Sequence, residues 1–236
     1  MFKVEKLKSI AIIPARSGSK GLKDKNIKLL CGIPLIAYSI RCAKESGMFE
    51  KIFVSTDSEE YAQIAEEYGA DAHFLRSKEN SGDKVGSWDV VKEVLERFEE
   101  EGEVFDTVML LQPTSPLRNV EDIKNSFKQM KEKNANAVLS VTEMEHSPLW
   151  SNTLDEDLCM DKFQNEKYQG IPRQWLPVYY RLNGAIYLIK KEELQKETMF
   201  CEGCYAYIMP AERSIDIDTE LDFVMAEYML IKKEKC

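Results

Sequence analysis

Histidine is scarce in this chain, basic charge is outweighed, and long apolar runs are absent. The 236 residues include two histidines, His73 and His146. A histidine-rich metal centre is therefore excluded, and the scarcity is consistent with chemistry that needs no histidine base. No stretch approaches the roughly eighteen consecutive apolar residues of a membrane-spanning helix. The opening apolar run ends at Arg16, too short for the core of a secretory signal. The expectation is a cytoplasmic protein with no membrane partner. Lys and Arg number 32 against 41 Asp and Glu, a net charge of -9. That balance speaks against a general nucleic-acid surface, and any bound anion must be met by a local basic cluster. The six cysteines include a single C-x-x-C, Cys201-Glu202-Gly203-Cys204. Neither a second such pair nor a nearby histidine completes a tetrahedral site. These thiols read as structural or incidental, with a metal or redox role as the alternative.

What is present is ample core material, with 44% hydrophobic and 10% aromatic residues. This composition suits one domain over 1–236. Short apolar runs at 9–14, 51–56, 107–111 and 137–141 read as strands. Between them lie segments with helical spacing: Leu35, Ile36, Ile40 and Ala43 after Pro34; a segment capped by Asp57 or Ser58; Trp88, Val91, Val94, Leu95 and Phe98; and 120–131. This alternation predicts an α/β fold, a mostly parallel sheet with helices on both faces. From 143 to 180 the periodicity fails, with Pro148, Pro172, Pro177, Trp150 and Trp175 in an irregular stretch. Such an excursion is functional or packs on another subunit. Regular structure resumes at 184–189 and 205–209, followed by a helix carrying Leu221, Val224, Met225, Tyr228 and Met229.

Several local patterns carry chemistry. After the first strand come Pro14-Ala15-Arg16-Ser17-Gly18-Ser19-Lys20-Gly21 and then Lys25-Asn26. Glycines let backbone N–H groups approach an anion, and Arg16, Lys20, Lys23, Lys25 and Lys28 stand against Asp24 alone. A basic surface turn is the plainer alternative. The run is neither a Walker A loop nor G-x-G-x-x-G. Late in the chain, Asp216-Ile217-Asp218 places two carboxylates on one side of an extended segment, suited to a hard divalent cation, or else to capping the last helix. Leu111-Gln112-Pro113-Thr114-Ser115-Pro116-Leu117-Arg118 follows an apolar strand, where open α/β sheets bind their ligands. Arg181-Leu182-Asn183-Gly184-Ala185-Ile186-Tyr187 opens a strand, with Arg173 upstream. Such arginines grip carboxylates or make surface ion pairs.

These runs, with Ser55-Thr56-Asp57 and the stretch from Ser214 to Phe223, stand in an order and spacing that closely resemble the CMP-sialic acid synthetases (acylneuraminate cytidylyltransferases), including relatives acting on legionaminic acid. The resemblance covers about Ile10 to Glu227. It implies a nucleotide-diphospho-sugar transferase-like fold and a homodimer, with 143–180 packing on the partner subunit. It also implies that Arg16, Ser17, Gly18, Ser19, Lys20, Lys25, Asn26, Arg76, Ser87 and Gln112 hold the nucleotide. Gln112, Arg173, Arg181 and Asn183 match the sugar side. Asp216 and Asp218 match a pair that binds Mg²⁺ (or Mn²⁺), and with Arg16 and Lys20 they form the expected catalytic set. The reaction implied is attack by the anomeric hydroxyl of an acidic nine-carbon sugar on the α-phosphorus of CTP. The identity of the sugar acid stays open, because Trp150 stands where some sialic acid enzymes carry lysine. A Kdo or pseudaminic acid cytidylyltransferase, a metal-dependent glycosyltransferase and a non-catalytic nucleotide-binding regulator are the rival readings.

Overall fold

The computed structural model describes residues 7–19, 21–82, 84–195 and 200–234. Strand β1 (Ser9–Pro14) forms because its side chains are apolar toward both faces, as a strand covered on both sides requires. Ile10 and Ile12 enter one core with Phe53, Val108 and Leu110, whereas Ala11 and Ile13 enter the other with Val54, Met109 and Leu111. Around β1 lies a six-stranded sheet that also contains β4 (Lys51–Ser55), β5 (Thr107–Leu110), β6 (Ala137–Glu143), β7 (Tyr180–Lys190) and β8 (Cys204–Ile208). The strand order is β4-β1-β5-β7-β6-β8. Only β7 runs against its neighbours, so the sheet is mostly parallel, as the alternation predicted. A separate hairpin of β2 (Leu29–Leu30) and β3 (Ile33–Pro34) turns through Cys31 and Gly32, both at positive φ, the signature of a tight type I′ turn.

Helices α1 (Leu35–Ser46), α2 (Glu59–Glu67) and α4 (Val120–Lys133) cover one face, and α3 (Ser87–Glu100) covers the other. Of the two residues suggested as a cap for α2, Ser58 takes the role, accepting from the Tyr61 N–H. Asn119 and Asp122 close a reciprocal box at the start of α4. Helix α5 (Glu220–Glu234) starts on a similar box formed by Thr219 and Asp222. Its buried side carries Phe223 and Ala226 against Leu30, Leu35 and Ile217. The apolar stripe expected on this helix differs from the buried one: Leu221, Val224, Met225 and Tyr228 are exposed. The apolar residues recur on more than one side of α5, so periodicity alone could not choose its inward face.

Residues 144–179 contain no strand and no helix beyond short 3-10 turns. Trp175 and Val178 are exposed there. Among the described residues, no helix is long and apolar enough to cross a membrane. The chain leaves β1 toward β4 on one side and returns to β5 on the other. The carboxyl ends of β1 and β5 therefore flank the point where the winding reverses, the place where open α/β sheets form a crevice.

Candidate active site

A cavity of about 320 Å³ opens at that crevice. Pro14, Arg16 and Ser19 from the loop after β1 line it, with Lys25 and Asn26 beyond; Gln112, Pro113 and Thr114 come from the loop after β5. Arg76, Val85, Ser87 and Val90 close a further side, and Asp216 and Asp218 complete it. Three larger hollows, about 530, 730 and 840 Å³, lie elsewhere and gather none of these residues. Chemistry rather than size marks the smaller cavity, because cations, carboxylates, an amide and a helix N-terminus converge on it.

The loop after β1 is held from below. Asp57 accepts from the Ser17 N–H at 2.7 Å and from the Ser17 hydroxyl at 3.0 Å. Ser17 is thus engaged with Asp57, while Ser19 lines the cavity. Asn26 is buried and donates through Nδ2 to the Arg16 carbonyl at 3.0 Å, which fixes the backbone carrying the arginine. Gly18 sits at φ 66, a conformation glycine adopts without strain. A Cβ on Gly21 would stand 2.7 Å from the Asp218 carbonyl oxygen, so only glycine lets the loop approach the acidic segment this closely. Lys20 lies outside the described residues.

Arg76 is buried, donating from Nε to the Ser55 hydroxyl and from its second terminal nitrogen to the Ser55 carbonyl. Burial, with some repulsion from Arg16, pulls its pKa down to about 10 against the pull of Asp57 and Glu93. It remains a cation at neutral pH. Ser87 is the first residue of α3, whose N-cap Gly86 donates to Asp89 at 3.2 Å. The N-terminal end of this 14-residue helix adds partial positive charge to the cavity wall.

The acidic segment is set by three anchors. Ile217 is buried among Leu30, Leu35 and Phe223, so its neighbours Asp216 and Asp218 face the other way. The Ile217 N–H donates to the Thr114 carbonyl at 2.8 Å. Lys25 donates to the Ile217 carbonyl at 2.5 Å and pairs with Asp218 at 3.0 Å. Burial pushes the Asp216 carboxyl above its ordinary pKa, Asp218 adds to the rise, and the Thr114 hydroxyl, Lys25 and Arg181 oppose it. Burial likewise raises the Tyr187 phenol, with Asp216 adding to it. Among the described residues, no cluster of three or more His, Cys, Asp or Glu side chains is placed to hold a metal. Two carboxylates beside a cationic cleft fit a cation that completes its shell with water and phosphate oxygens, the habit of Mg²⁺.

The residues assigned to the sugar side separate. Gln112 lines the cavity. Arg181 lies close enough to Asp216 to influence it and donates weakly to the Ser214 carbonyl at 3.4 Å. Asn183 is buried outside the cavity lining, with its amide bonded to protein groups. Arg173 sits in an exposed turn (Arg173–Trp175) outside the cavity lining. Sequence reasoning passed over Asp57 as the clamp on Ser17, Thr114 as the anchor of the acidic segment, and Gly21 and Gly184 as close-approach points. The Ser55-Thr56-Asp57 run at a strand's end was the available signal for Asp57.

The family model described as cytidylyltransferase matches residues 10–222, a span containing every cavity residue. An N-acylneuraminate cytidylyltransferase of Streptococcus agalactiae serotype V is 42% identical over 222 residues, covering 92% of this chain and 52% of the relative. The chain thus spans about half the length of that relative. A CMP-N,N'-diacetyllegionaminic acid synthase of Legionella pneumophila is 34% identical, covering 95% of this chain and 97% of the relative. Among solved structures, a CMP:2-keto-3-deoxy-manno-octonic acid synthetase complexed with CTP superposes with a TM-score of 0.71. It is 16% identical, covers 96% of this chain and 99% of its own, and speaks for the fold.

Proposed function

The chain belongs to the cytidylyltransferase family, and from that premise we propose that it joins CMP from CTP to the anomeric hydroxyl of a nine-carbon 2-keto sugar acid, N-acetylneuraminic or legionaminic acid, releasing pyrophosphate. One observation carries the reading. Arg16, Lys25, Arg76 and the α3 N-terminus line the same small cavity as the Asp216 and Asp218 carboxylates and the Gln112 amide. A triphosphate needs the first set, and a metal-assisted attack at phosphorus needs the second.

In the proposed reaction the anomeric oxygen attacks the α-phosphorus of CTP, the bond to the bridging oxygen of the β-phosphate breaks, and the hydroxyl proton passes to solvent. Arg16 and Lys25, with Lys20 as a further expected cation, stabilise the charge that grows on the phosphates and on departing pyrophosphate. Asp216 and Asp218 would hold Mg²⁺ (or Mn²⁺), which supplies Lewis-acid polarisation and lowers the pKa of the attacking hydroxyl when bound. Gln112 offers a donor and an acceptor to the nucleotide or the sugar, and Arg181 is the cation available to a sugar carboxylate. Proximity and orientation account for the remaining rate, since no side-chain base is required. CTP is an intracellular metabolite, so the protein's expected place is the cytoplasm.

The exposed apolar side chains Trp175, Val178, Leu221, Val224 and Tyr228 support a homodimer as the working form. The test of the site is Asp216→Asn, which keeps the shape and removes the charge. Pyrophosphate release with CTP, Mg²⁺ and the sugar acid is expected to fall by about a hundredfold or more. Undiminished turnover in this variant contradicts the metal assignment.

A further inference from the structure

Asn183 lies on β7, about 1% exposed and outside the cavity lining, one residue before the backbone at Gly184 that Gln112 and Asp216 approach. Its amide is fully occupied. Nδ2 donates to the Ser214 hydroxyl at 2.9 Å and to the Met209 sulfur at 3.4 Å. Oδ1 accepts from the Ser140 hydroxyl at 2.6 Å and from the Ala185 N–H at 3.2 Å. The amide offers two donors and two lone pairs, so nothing remains for a sugar. The Asn183 main-chain carbonyl also accepts from the Ser115 hydroxyl at 3.3 Å. β6, the loop after β5 and the segment leading to Asp216 therefore meet on one residue.

The neighbouring geometry says what this junction sets. The β6–β7 register slips between Leu139 and Val141, and there Ser140 accepts from the Ile186 N–H at 2.7 Å. Gly184 follows Asn183 at φ 75. A Cβ built on it would stand 2.5 Å from Gln112 Oε1 and 3.6 Å from Asp216 Oδ2. The Gln112 and Asp216 side chains thus converge over bare backbone one residue beyond Asn183. Ser214, gripped by Asn183, lies two residues before Asp216 and is itself tied to the Pro210 carbonyl at 2.8 Å. A shift of Ser214 would move Asp216 relative to Gln112.

We infer that Asn183 is a positioning residue: through Ser214 it holds Asp216 at the Gln112 loop and so sets the affinity of the cavity for a divalent cation bound with a nucleoside triphosphate. The inference rests on the functional reading above and replaces a sugar-contact role for this residue. A full truncation of Asn183 would leave several buried partners unpaired and endanger the fold, so the informative variant is Ser214→Ala. It deletes the hydroxyl that Asn183 grips, together with that hydroxyl's bond to the Pro210 carbonyl.

The experiment measures Mn²⁺ binding by electron paramagnetic resonance with a non-hydrolysable CTP analogue. It also measures KM for the sugar acid at saturating Mg²⁺ and CTP, with circular dichroism to verify folding. Ser214→Ala is expected to weaken Mn²⁺ binding roughly tenfold and to leave KM for the sugar acid within about twofold of the unaltered protein. Unchanged Mn²⁺ binding with a raised KM for the sugar acid overturns the inference and restores the sugar-contact role. Should Ser214→Ala fail to fold, Asn183→Asp, which keeps Oδ1 but loses the donor to Ser214, is put through the same comparison. Failure of the unaltered protein to bind Mn²⁺ with the analogue overturns the functional reading itself.

Discussion

Arg118 shows how much of the site is built from beneath. It is 4% exposed, and one terminal nitrogen donates to the carbonyls of Ala185 at 2.9 Å, Ser115 at 3.3 Å and Gln112 at 3.4 Å. The other terminal nitrogen donates to the Ser39 hydroxyl at 2.6 Å, while Nε finds no partner among the described residues. A lysine ammonium cannot span both ends of this fork. Arg118→Lys is therefore expected to lower stability by roughly 1.5–3 kcal/mol in urea unfolding, the scale of a lost charged hydrogen bond; equal stability contradicts the role. Asp216 carries the opposite sign. Its folded pKa is raised mainly by burial, so the cation-free protein bears a penalty at pH 7 that fades as pH falls toward the ordinary carboxylate value near 4. Besides losing turnover, Asp216→Asn is expected to melt higher than the unaltered protein at pH 7 without added metal, with the gain shrinking toward pH 4. A lower melting temperature at pH 7 contradicts this account. The sequence made both residues visible as members of conspicuous runs. It could not show that Arg118 points into the protein and Asp216 toward the cavity, because a loop has no periodicity from which to read direction.

At the scale of elements, local chemistry was highly legible where two faces had to be apolar or a helix had one clear stripe. β1, β5 and α3 fall where their patterns place them. β7 was recognised as a strand, but its reversed direction was not expected, since a single run of apolar residues does not encode orientation. The stripe of α5 failed for a related reason: apolar residues on several sides leave the choice of face to tertiary packing. α3 also carries a linkage that no motif announces. His73 Nδ1 lies 2.6 Å from Asp71, and its Nε2 lies 3.0 Å from Glu101 at the end of α3. The rings of Phe53, Phe74 and Phe98 surround it, and Lys51 pairs with Asp71 and with nearby Glu103. Partial burial disfavours the charged ring, but the bonds to Asp71 and Glu101 outweigh it and raise the His73 pKa. Stabilisation is then fully present below the unfolded value near 6.5 and is lost as pH rises through the raised folded value. The stability difference between the unaltered protein and His73→Gln is expected to be largest near pH 6 and to shrink by pH 9. A difference that is flat or grows over this range contradicts the linkage.

At the scale of the molecule, winding order and strand ends bring distant runs together. Arg16, Gln112 and Asp216 share one cavity because β1 and β5 are adjacent and Ile217 docks on the hairpin and α5. The sequence announced the members of the site better than its floor. Asn183 and Ser17 looked like ligand contacts because polar residues in motifs do, yet their partners are protein groups. The apolar exposure of Trp175, Val178 and the outer face of α5 belongs to the same scale. Light scattering coupled to gel filtration is expected to give twice the chain mass of 27.2 kDa, and a monomer at micromolar concentration contradicts the proposed homodimer. The proposed reaction is read out by pyrophosphate release from the purified protein with CTP and Mg²⁺, comparing N-acetylneuraminic, legionaminic, pseudaminic and Kdo acids. Release is expected to require CTP together with N-acetylneuraminic or legionaminic acid. Binding of CTP with no release from any of the four contradicts it.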